Sequence, residues 1–368
     1  MSQSSSQLAT PSNAKPSNAK PSNAKPSNAK PSNAKPSKQR SSLSAPLPGD
    51  FFSRQTPRIL LAPMEGVVDH TTRELLTEIG GIDLCVTEFI RVTDQLLPEH
   101  LFHKDAIELT NQEKPSHTPS GTPLLVQLLG SDPELLGRNA ARAIELGAVG
   151  IDLNFGCPAK TVNRHDGGAT LLKSPERVAA AVRGVRTAVP ASHSVSAKVR
   201  LGFSDKSLHR EIAHAAQDGG ADWLTVHART RDEGYRPPAH WEFVGSMREA
   251  VTIPVIANGD VWTPDDYRRM LDISGCHHAM LGRGILARPS LALECKGLSG
   301  KTPWAAILPL VIKFGRTSQT LRGPRFASAR LKQWLKSLSL TYPEAAELFE
   351  QVKRYETLSC ELFETHVV

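Results

Sequence analysis

The chain has 368 residues, a formal net charge of +7 and 22% charged residues. This length allows one large domain and a small one. Its apolar stretches are too short to span a bilayer, and its five cysteines form no C-x-x-C pair. The sequence therefore predicts neither a membrane protein nor a disulfide framework nor a metal site, and it is typical of a reducing compartment.

Residues 1–50 are predicted to form a disordered tail. Residues 11–35 are five tandem copies of Pro-Ser-Asn-Ala-Lys, with no apolar side chain larger than alanine. The tail lacks the apolar run of a signal peptide and the arginine-rich pattern of a transit peptide, so we expect a cytoplasmic protein. The first 40 residues hold seven Lys and Arg and no acid, which accounts for the whole net charge of +7.

Short apolar runs alternate with amphipathic stretches from residue 58 to about residue 290. The predicted strands are 59–62, 84–87, 124–128, 150–153, 195–199, 223–227, 255–257 and 278–281. The clearest helices between them are 134–146, 176–188, 207–217 and 264–273. Eight strands that are each followed by a helix-length connection predict a (β/α)₈ TIM barrel over residues 51–298, with a doubly wound open sheet as the alternative.

The strand pattern stops after residue 300. Helices are predicted at 304–314, 326–338 and 343–355, which indicates a small all-helical C-terminal domain over residues 299–368. Residues 301–340 carry eight basic side chains and no acid. This pattern favours a basic surface that binds nucleic acid, although a solvated helix face would look the same. No feature indicates an obligate protein partner, and we expect a monomer.

The ends of the predicted strands collect polar side chains and glycines, and this is where a TIM barrel places its functional groups. In chain order they are Pro63, Met64, Glu65, Arg91, Gln127, Asn154, Cys157, Lys198, Arg200, His227, Asn258, Gly259, Asp260, Gly282 and Arg283. Glycines after strands seven and eight are typical of a phosphate site. The two-residue period puts Lys198 and Arg200 on one face of their strand. No spacing favours metal hydrolysis or a serine triad.

Cys157 lies between Gly156 and Pro158 at the end of the fourth predicted strand. Proline biases the preceding residue away from the helical region, and glycine allows a close approach to a flat ligand. The turn therefore presents the thiol in a defined position. A small apolar residue at a strand end is the alternative reading of Cys157, because cysteines are often buried.

Together these residues make the chain similar to the tRNA-dihydrouridine synthases, and most similar to the bacterial C-type subfamily that acts on uridine 16. The shared motifs are LAPMEG at 61–66, NFGCPAKTVN at 154–163, GGATLL at 167–172, KVRLG at 198–202, NGD at 258–260 and GRG at 282–284. The resemblance implies an FMN-binding barrel, a helical tRNA-binding domain and NADPH as reductant. The loop 163–168 departs from the family because similar enzymes are richer in glycine there, which leaves its mobility open.

The resemblance also implies a role for each matched residue. The flavin would be lined by Pro63, Met64, Glu65, Gln127, Lys198, His227, Asn258, Gly259, Asp260, Gly282 and Arg283. The tRNA would be contacted by Arg91, Asn154, Arg200, Arg330 and Lys332. Cys157 matches the catalytic cysteine of the family.

Reduction of uridine to dihydrouridine needs a hydride at C6 and a proton at C5 of a base that has left its stack. A thiol with an ordinary pKa near 8.5 is protonated at neutral pH, so we expect Cys157 to act as the general acid. Two alternatives stay open. One is a flavin barrel that reduces a free pyrimidine or a small enone, and the other is a tRNA-binding folding factor without catalysis.

Overall fold

The computed structural model describes residues 46–159, 162–163 and 166–357. Most of the predicted tail, residues 1–45, lies outside this part, as do four residues of the loop after Cys157 and residues 358–368. No helix in the described ranges is long and apolar enough to cross a membrane.

Nine parallel strands form one sheet that closes on itself. They are β1 (Ile59–Leu61), β2 (Leu84–Val86), β3 (Ile90–Arg91), β4 (Leu124–Leu129), β5 (Gly150–Asn154), β6 (Ser194–Arg200), β7 (Trp223–His227), β8 (Val255–Asn258) and β9 (His278–Leu281). β1 pairs with both β2 and β9, and β2 pairs with β4, which closes the ring. The predicted barrel is confirmed, and the open sheet is excluded.

The second barrel position is filled by two short strands where the sequence predicted one. β2 and β3 both pair with β4, and residues 87–89 separate them. At this break the Thr87 hydroxyl accepts a hydrogen bond from the Gln127 backbone N–H at 2.9 Å. The chain can therefore leave the ladder without an unpaired N–H in the barrel wall, because the side chain replaces a backbone acceptor.

Helices cover the outside of the barrel. They are α1 (His70–Ile79), α2 (Glu99–Asp105), α3 (Pro133–Glu145), α4 (Pro175–Ala188), α5 (His209–Asp218), α6 (Trp241–Ala250), α7 (Pro264–Ser274), α8 (Arg283–Ala287) and α9 (Leu291–Cys295). Two 3₁₀ helices, Ile107–Thr110 and Gly168–Lys173, lie in the connections. Side-chain caps define several starts: Asp132 accepts from the Leu135 N–H before α3, and Thr263 forms a capping box with Asp266 before α7.

Three further helices follow the barrel: α10 (Trp304–Arg322), α11 (Pro324–Leu338) and α12 (Pro343–Val352). Their shared core includes Phe314 and Trp334 and reaches Leu75 of α1. Trp334 also donates to the Leu286 carbonyl at 3.2 Å. α10 runs past the predicted end at residue 314, because Gly315 and Ser318 are buried and continue the apolar face.

The opposite end of the barrel is closed by the segment that precedes β1. Leu47, Phe51 and Phe52 pack against the interior residues of the strands. The Phe52 ring lies 4.7 Å from Trp223 and 5.1 Å from His278, measured between ring centroids. Ordered contacts thus begin at Leu47, four residues before the start predicted for the barrel domain.

Candidate active site

A cleft of about 560 Å³ opens where the carboxyl ends of the strands meet. It is lined by fourteen of the seventeen predicted site residues: Pro63, Met64, Glu65, Gln127, Asn154, Cys157, Lys198, Arg200, His227, Asn258, Gly259, Asp260, Gly282 and Arg283. A parallel barrel brings these distant parts of the chain together because all its strands end on the same rim.

The turn that carries Cys157 is held by two polar side chains. The Asn154 side-chain oxygen accepts from the backbone N–H groups of Gly156 at 2.9 Å and of Cys157 at 3.0 Å. From the other side, Arg200 Nε donates to the Gly156 carbonyl at 2.8 Å. The thiol is 8% exposed and faces the cleft. Asn154 and Arg200, which were predicted to contact tRNA, therefore also position the turn.

The Cys157 thiol keeps its proton in this environment. Burial raises its pKa, with a further rise from the nearby Glu65 carboxylate, while the Ala159 backbone N–H, Arg200 and Arg91 act in the opposite sense. The net shift is upward. A neutral thiol suits a group that donates a proton, and it does not suit a thiolate nucleophile.

A buried carboxylate that the prediction did not include lies beneath the cysteine turn. Asp152 is 1% exposed and accepts from Gln127 Nε2 and from the Ser196 hydroxyl, both at 2.6 Å. Burial raises its pKa to about 6. The signal in the sequence was a single acid inside an apolar strand, two residues before Asn154 and thus on the same face.

Lys198 brings an ammonium group to the cleft. Its Nζ donates to the Asn258 side-chain oxygen at 3.3 Å, and no other described residue accepts from it. Desolvation, together with the neighbouring Arg200, lowers the pKa of Lys198 to about 8. Asn258 is fixed in turn, because its Nδ2 donates to the Met280 carbonyl at 2.7 Å. Lys198 thus has spare N–H donors for a ligand.

His227 contributes a neutral ring. Burial lowers its pKa well below the usual range, and Arg200, Lys198 and Arg229 add to this shift. Within the described chain neither ring nitrogen takes part in a hydrogen bond, and the ring lies 5.8 Å from Tyr235 between centroids. The imidazole can therefore offer one N–H donor and one acceptor to a ligand.

The glycine-rich ends of β8 and β9 form a close-packed corner of the cleft. Gly259 has φ 130°, which favours glycine, and a Cβ on Gly284 would lie 1.9 Å from the Val261 carbonyl oxygen. Asp260 forms ion pairs with Arg229 and, at 3.3 Å, with Arg283. Asp260 therefore orients Arg283 at the rim.

Two aromatic residues at this corner were missed by the sequence prediction. Tyr235 is 54% exposed and lies between two guanidinium groups, 5.2 Å from Arg200 and 4.9 Å from Arg283. Trp262 lies 5.3 Å from Arg283. Both are loop residues, and no periodic pattern marks them in the sequence.

The other three predicted tRNA contacts lie outside this cleft. Arg91 and Arg330 line a second cleft of about 480 Å³ between the barrel and the C-terminal helices. No described residue accepts a hydrogen bond from Arg91. Lys332 lines neither cleft, and its Nζ donates to the Tyr355 carbonyl at 3.0 Å.

Arg330 connects α11 to the loop between β1 and α1. Its guanidinium donates to the carbonyls of Gly66 at 2.7 Å and Val67 at 2.6 Å and to the Thr72 hydroxyl at 2.9 Å. It also pairs with Asp69 at 3.1 Å and is 7% exposed. These bonds show that Arg330 joins the helical layer to the barrel; a tRNA contact by this residue stays a prediction.

Comparison with known proteins identifies the family. A model of the dihydrouridine synthase (Dus) family matches residues 60–307. A tRNA-dihydrouridine(16) synthase of Aquipseudomonas alcaligenes is 54% identical over 81% of this chain and 95% of that relative. Enzymes of the same name from Pseudomonas putida and Escherichia coli K12 are 52% and 48% identical, over 81% and 80% of this chain and 93% of each relative. The chain therefore belongs to the dihydrouridine synthase family and is an oxidoreductase.

Proposed function

We propose that this enzyme reduces the C5–C6 double bond of uridine in tRNA, with uridine 16 of the D-loop as its target and Cys157 as the general acid. The observation that supports this most directly is the protonated Cys157 thiol, which a fixed turn presents to a cleft lined by hydrogen-bond donors. The relatives that match the chain over more than nine-tenths of their length carry position 16 in their names.

The residues of the cleft fit FMN. Lys198 has N–H donors without a described partner and His227 has an unbonded ring, so both can meet polar atoms of a flavin. Arg283 and the glycines at 259 and 282 suit its phosphate end. When bound, reduced FMN supplies the hydride that uracil C6 requires. We propose NADPH as the reductant.

Cys157 would deliver the proton to C5 of the target base. Its raised pKa keeps the thiol protonated through the neutral range, while Asn154 and Arg200 keep the turn in place. The positive charge of Lys198 stabilises negative charge that develops in the cleft. The low exposure of Gln127 and Asp152 keeps water away from the floor of the site.

The substrate tRNA would be bound by the helical layer together with the barrel rim. Lys313, Arg316, Arg322, Arg325 and Lys336 are exposed on α10 and α11. Such residues attract phosphates without reading sequence. We propose that Arg91, in the second cleft, and Lys332 add tRNA contacts, that the protein acts as a monomer, and that it meets its substrate in the cytoplasm.

The test uses the full chain, unmodified tRNA transcripts and NADPH, with dihydrouridine mapped by mass spectrometry. We expect modification at position 16, none in a transcript with adenosine at that position, and no reduction of free uridine. A faster reaction with NADH would overturn the choice of reductant. Equal turnover of free uridine would overturn the tRNA substrate, and a preparation that binds tRNA without flavin or turnover would overturn the catalytic role.

A further inference from the structure

A chain of hydrogen bonds runs from the buried Asp152 to the cysteine turn. The register places Gln127, Asp152 and Ser196 side by side on β4, β5 and β6. Asp152 accepts from Gln127 Nε2 at 2.6 Å, and the Gln127 side-chain oxygen accepts from Asn154 Nδ2 at 2.8 Å. The Asn154 oxygen then accepts from the N–H of Cys157 at 3.0 Å. Each amide group in this chain passes a direction on to the next.

That direction is set at Asp152, because an ionised carboxylate only accepts hydrogen bonds. Gln127 must turn its NH₂ group toward Asp152, and this leaves its oxygen toward Asn154. Asn154 must then turn its own NH₂ group toward Gln127, and its oxygen faces the cysteine turn. A neutral group at position 152 that can both donate and accept would permit either orientation of Gln127.

The bonds already made decide what Asn154 has left for a ligand. Its oxygen accepts two backbone N–H groups, from Gly156 and Cys157, and one N–H of Nδ2 is used by Gln127. The remaining side-chain group is one N–H donor, on a residue that lines the cleft. A donor suits a carbonyl oxygen and conflicts with an amino group. Uracil carries a carbonyl at position 4, where cytosine carries an amine.

We propose that Asp152 is a specificity-determining positioning residue, which acts through Gln127 to hold the Asn154 amide as a donor toward O4 of the target base. Uracil is accepted and cytosine is rejected at this point. The proposal rests on the proposed function, since it assumes a pyrimidine of tRNA in the cleft.

Stability alone gives little reason for a carboxylate at this position. Asp152 is 1% exposed, and the described groups that bond to it, Gln127 and Ser196, are both neutral. An unpaired buried charge destabilises a fold, and apolar replacements of buried ionic groups are often neutral or stabilising. A residue with this cost fits a functional constraint on the amide chain.

Asp152→Asn tests the proposal because it keeps the shape and removes the acceptor-only character. The matched control is Ser196→Ala, which removes the other hydrogen bond to the same carboxylate and leaves the direction of the amides set. The ratio to measure is the inhibition constant of a tRNA with cytidine at position 16 over the KM of the uridine tRNA. We expect Asp152→Asn to lower this ratio about tenfold, as the loss of one hydrogen bond implies, and Ser196→Ala to leave it unchanged.

A purely structural role would weaken both tRNAs equally and leave the ratio constant in Asp152→Asn, and this outcome would overturn the proposal. A second measurement on the wild-type enzyme covers a variant that does not fold. Transcripts with 4-thiouridine or 2-thiouridine at position 16 replace one carbonyl each, and we expect weaker binding only for the 4-thio base. Sensitivity to the 2-thio base alone would place the Asn154 contact at O2 and contradict the proposal. Wild-type enzyme that forms no dihydrouridine in tRNA would refute the proposed function instead.

Discussion

The two ends of the barrel treat polar groups in opposite ways. At the cleft, Lys198 has one described hydrogen-bond partner and His227 has none. At the closed end, both ring nitrogens of His278 are engaged, with the Arg58 N–H at 3.1 Å and the Phe52 carbonyl at 3.2 Å. Burial lowers the pKa of all three side chains. The difference shows that hydrogen-bond satisfaction, more than burial, separates the ligand-binding end from the structural end.

The largest expected effect comes from the thiol at the open end. Cys157→Ala should retain flavin and tRNA binding and lower kcat by roughly 10²–10⁴-fold, the usual contribution of a general acid. Cys295→Ala is the matched control, because Cys295 is half-buried outside the cleft. Single-turnover formation of dihydrouridine measures the effect. Near-normal turnover in Cys157→Ala would refute the assignment of the acid.

The second prediction concerns the spare donors of Lys198. Lys198→Met should weaken flavin binding by about 10–100-fold, the value of a hydrogen bond to a charged group. Because the pKa of Lys198 is about 8, wild-type affinity should fall as the pH rises through that value, whereas the variant should be weak and independent of pH there. Fluorescence titration of flavin-free protein measures both. Lys336→Met, at an exposed position outside the cleft, is the control, and a pH limb that persists in Lys198→Met would assign it to another group.

The open end shows how far the sequence could predict the site. Strand periodicity located the rim, and the resemblance named the residues that face it, because both depend on short local patterns. Asp152 was overlooked although its place in an apolar strand was visible. Its importance depends on the register of three strands, which no single segment encodes. Tyr235 was missed because its position between Arg200 and Arg283 depends on a loop conformation.

The closed end and the helical layer show a different limit of the sequence. The basic pattern of residues 301–340 suggested that Arg330 faces the nucleic acid, yet its guanidinium bonds to the carbonyls of Gly66 and Val67. Charge patterns report composition and not direction, so they do not separate a buried arginine from an exposed one. In the same way, Phe52 lies next to the predicted disordered tail, and its contact with Trp223 spans 171 positions of the sequence.

The third prediction addresses the packing of the closed end. Phe52→Ala should lower the free energy of unfolding by about 2 kcal/mol, less than for a fully buried phenylalanine, because Phe52 is only half-buried. Phe52→Leu keeps most of the apolar volume and should lose clearly less. Thermal unfolding measures both variants, and turnover below the unfolding range should match the wild type. A specific loss of kcat in Phe52→Ala would show that the two ends are coupled.

The smallest effect is the pH dependence of stability that His278 contributes. Its pKa falls from 6.5 to about 4 on folding, chiefly through burial, so the folded state holds the ring neutral. A base with a depressed folded pKa contributes stability that is complete above 6.5 and is lost as the pH falls toward about 4. The melting temperature should therefore drop across this window, and His278→Phe, which cannot titrate, should show a shallower drop. Other buried histidines titrate in both proteins, so the difference between the two slopes isolates His278. Equal slopes would mean that the ring at the closed end is already charged at neutral pH, and the contrast with the open end would then lose its electrostatic part.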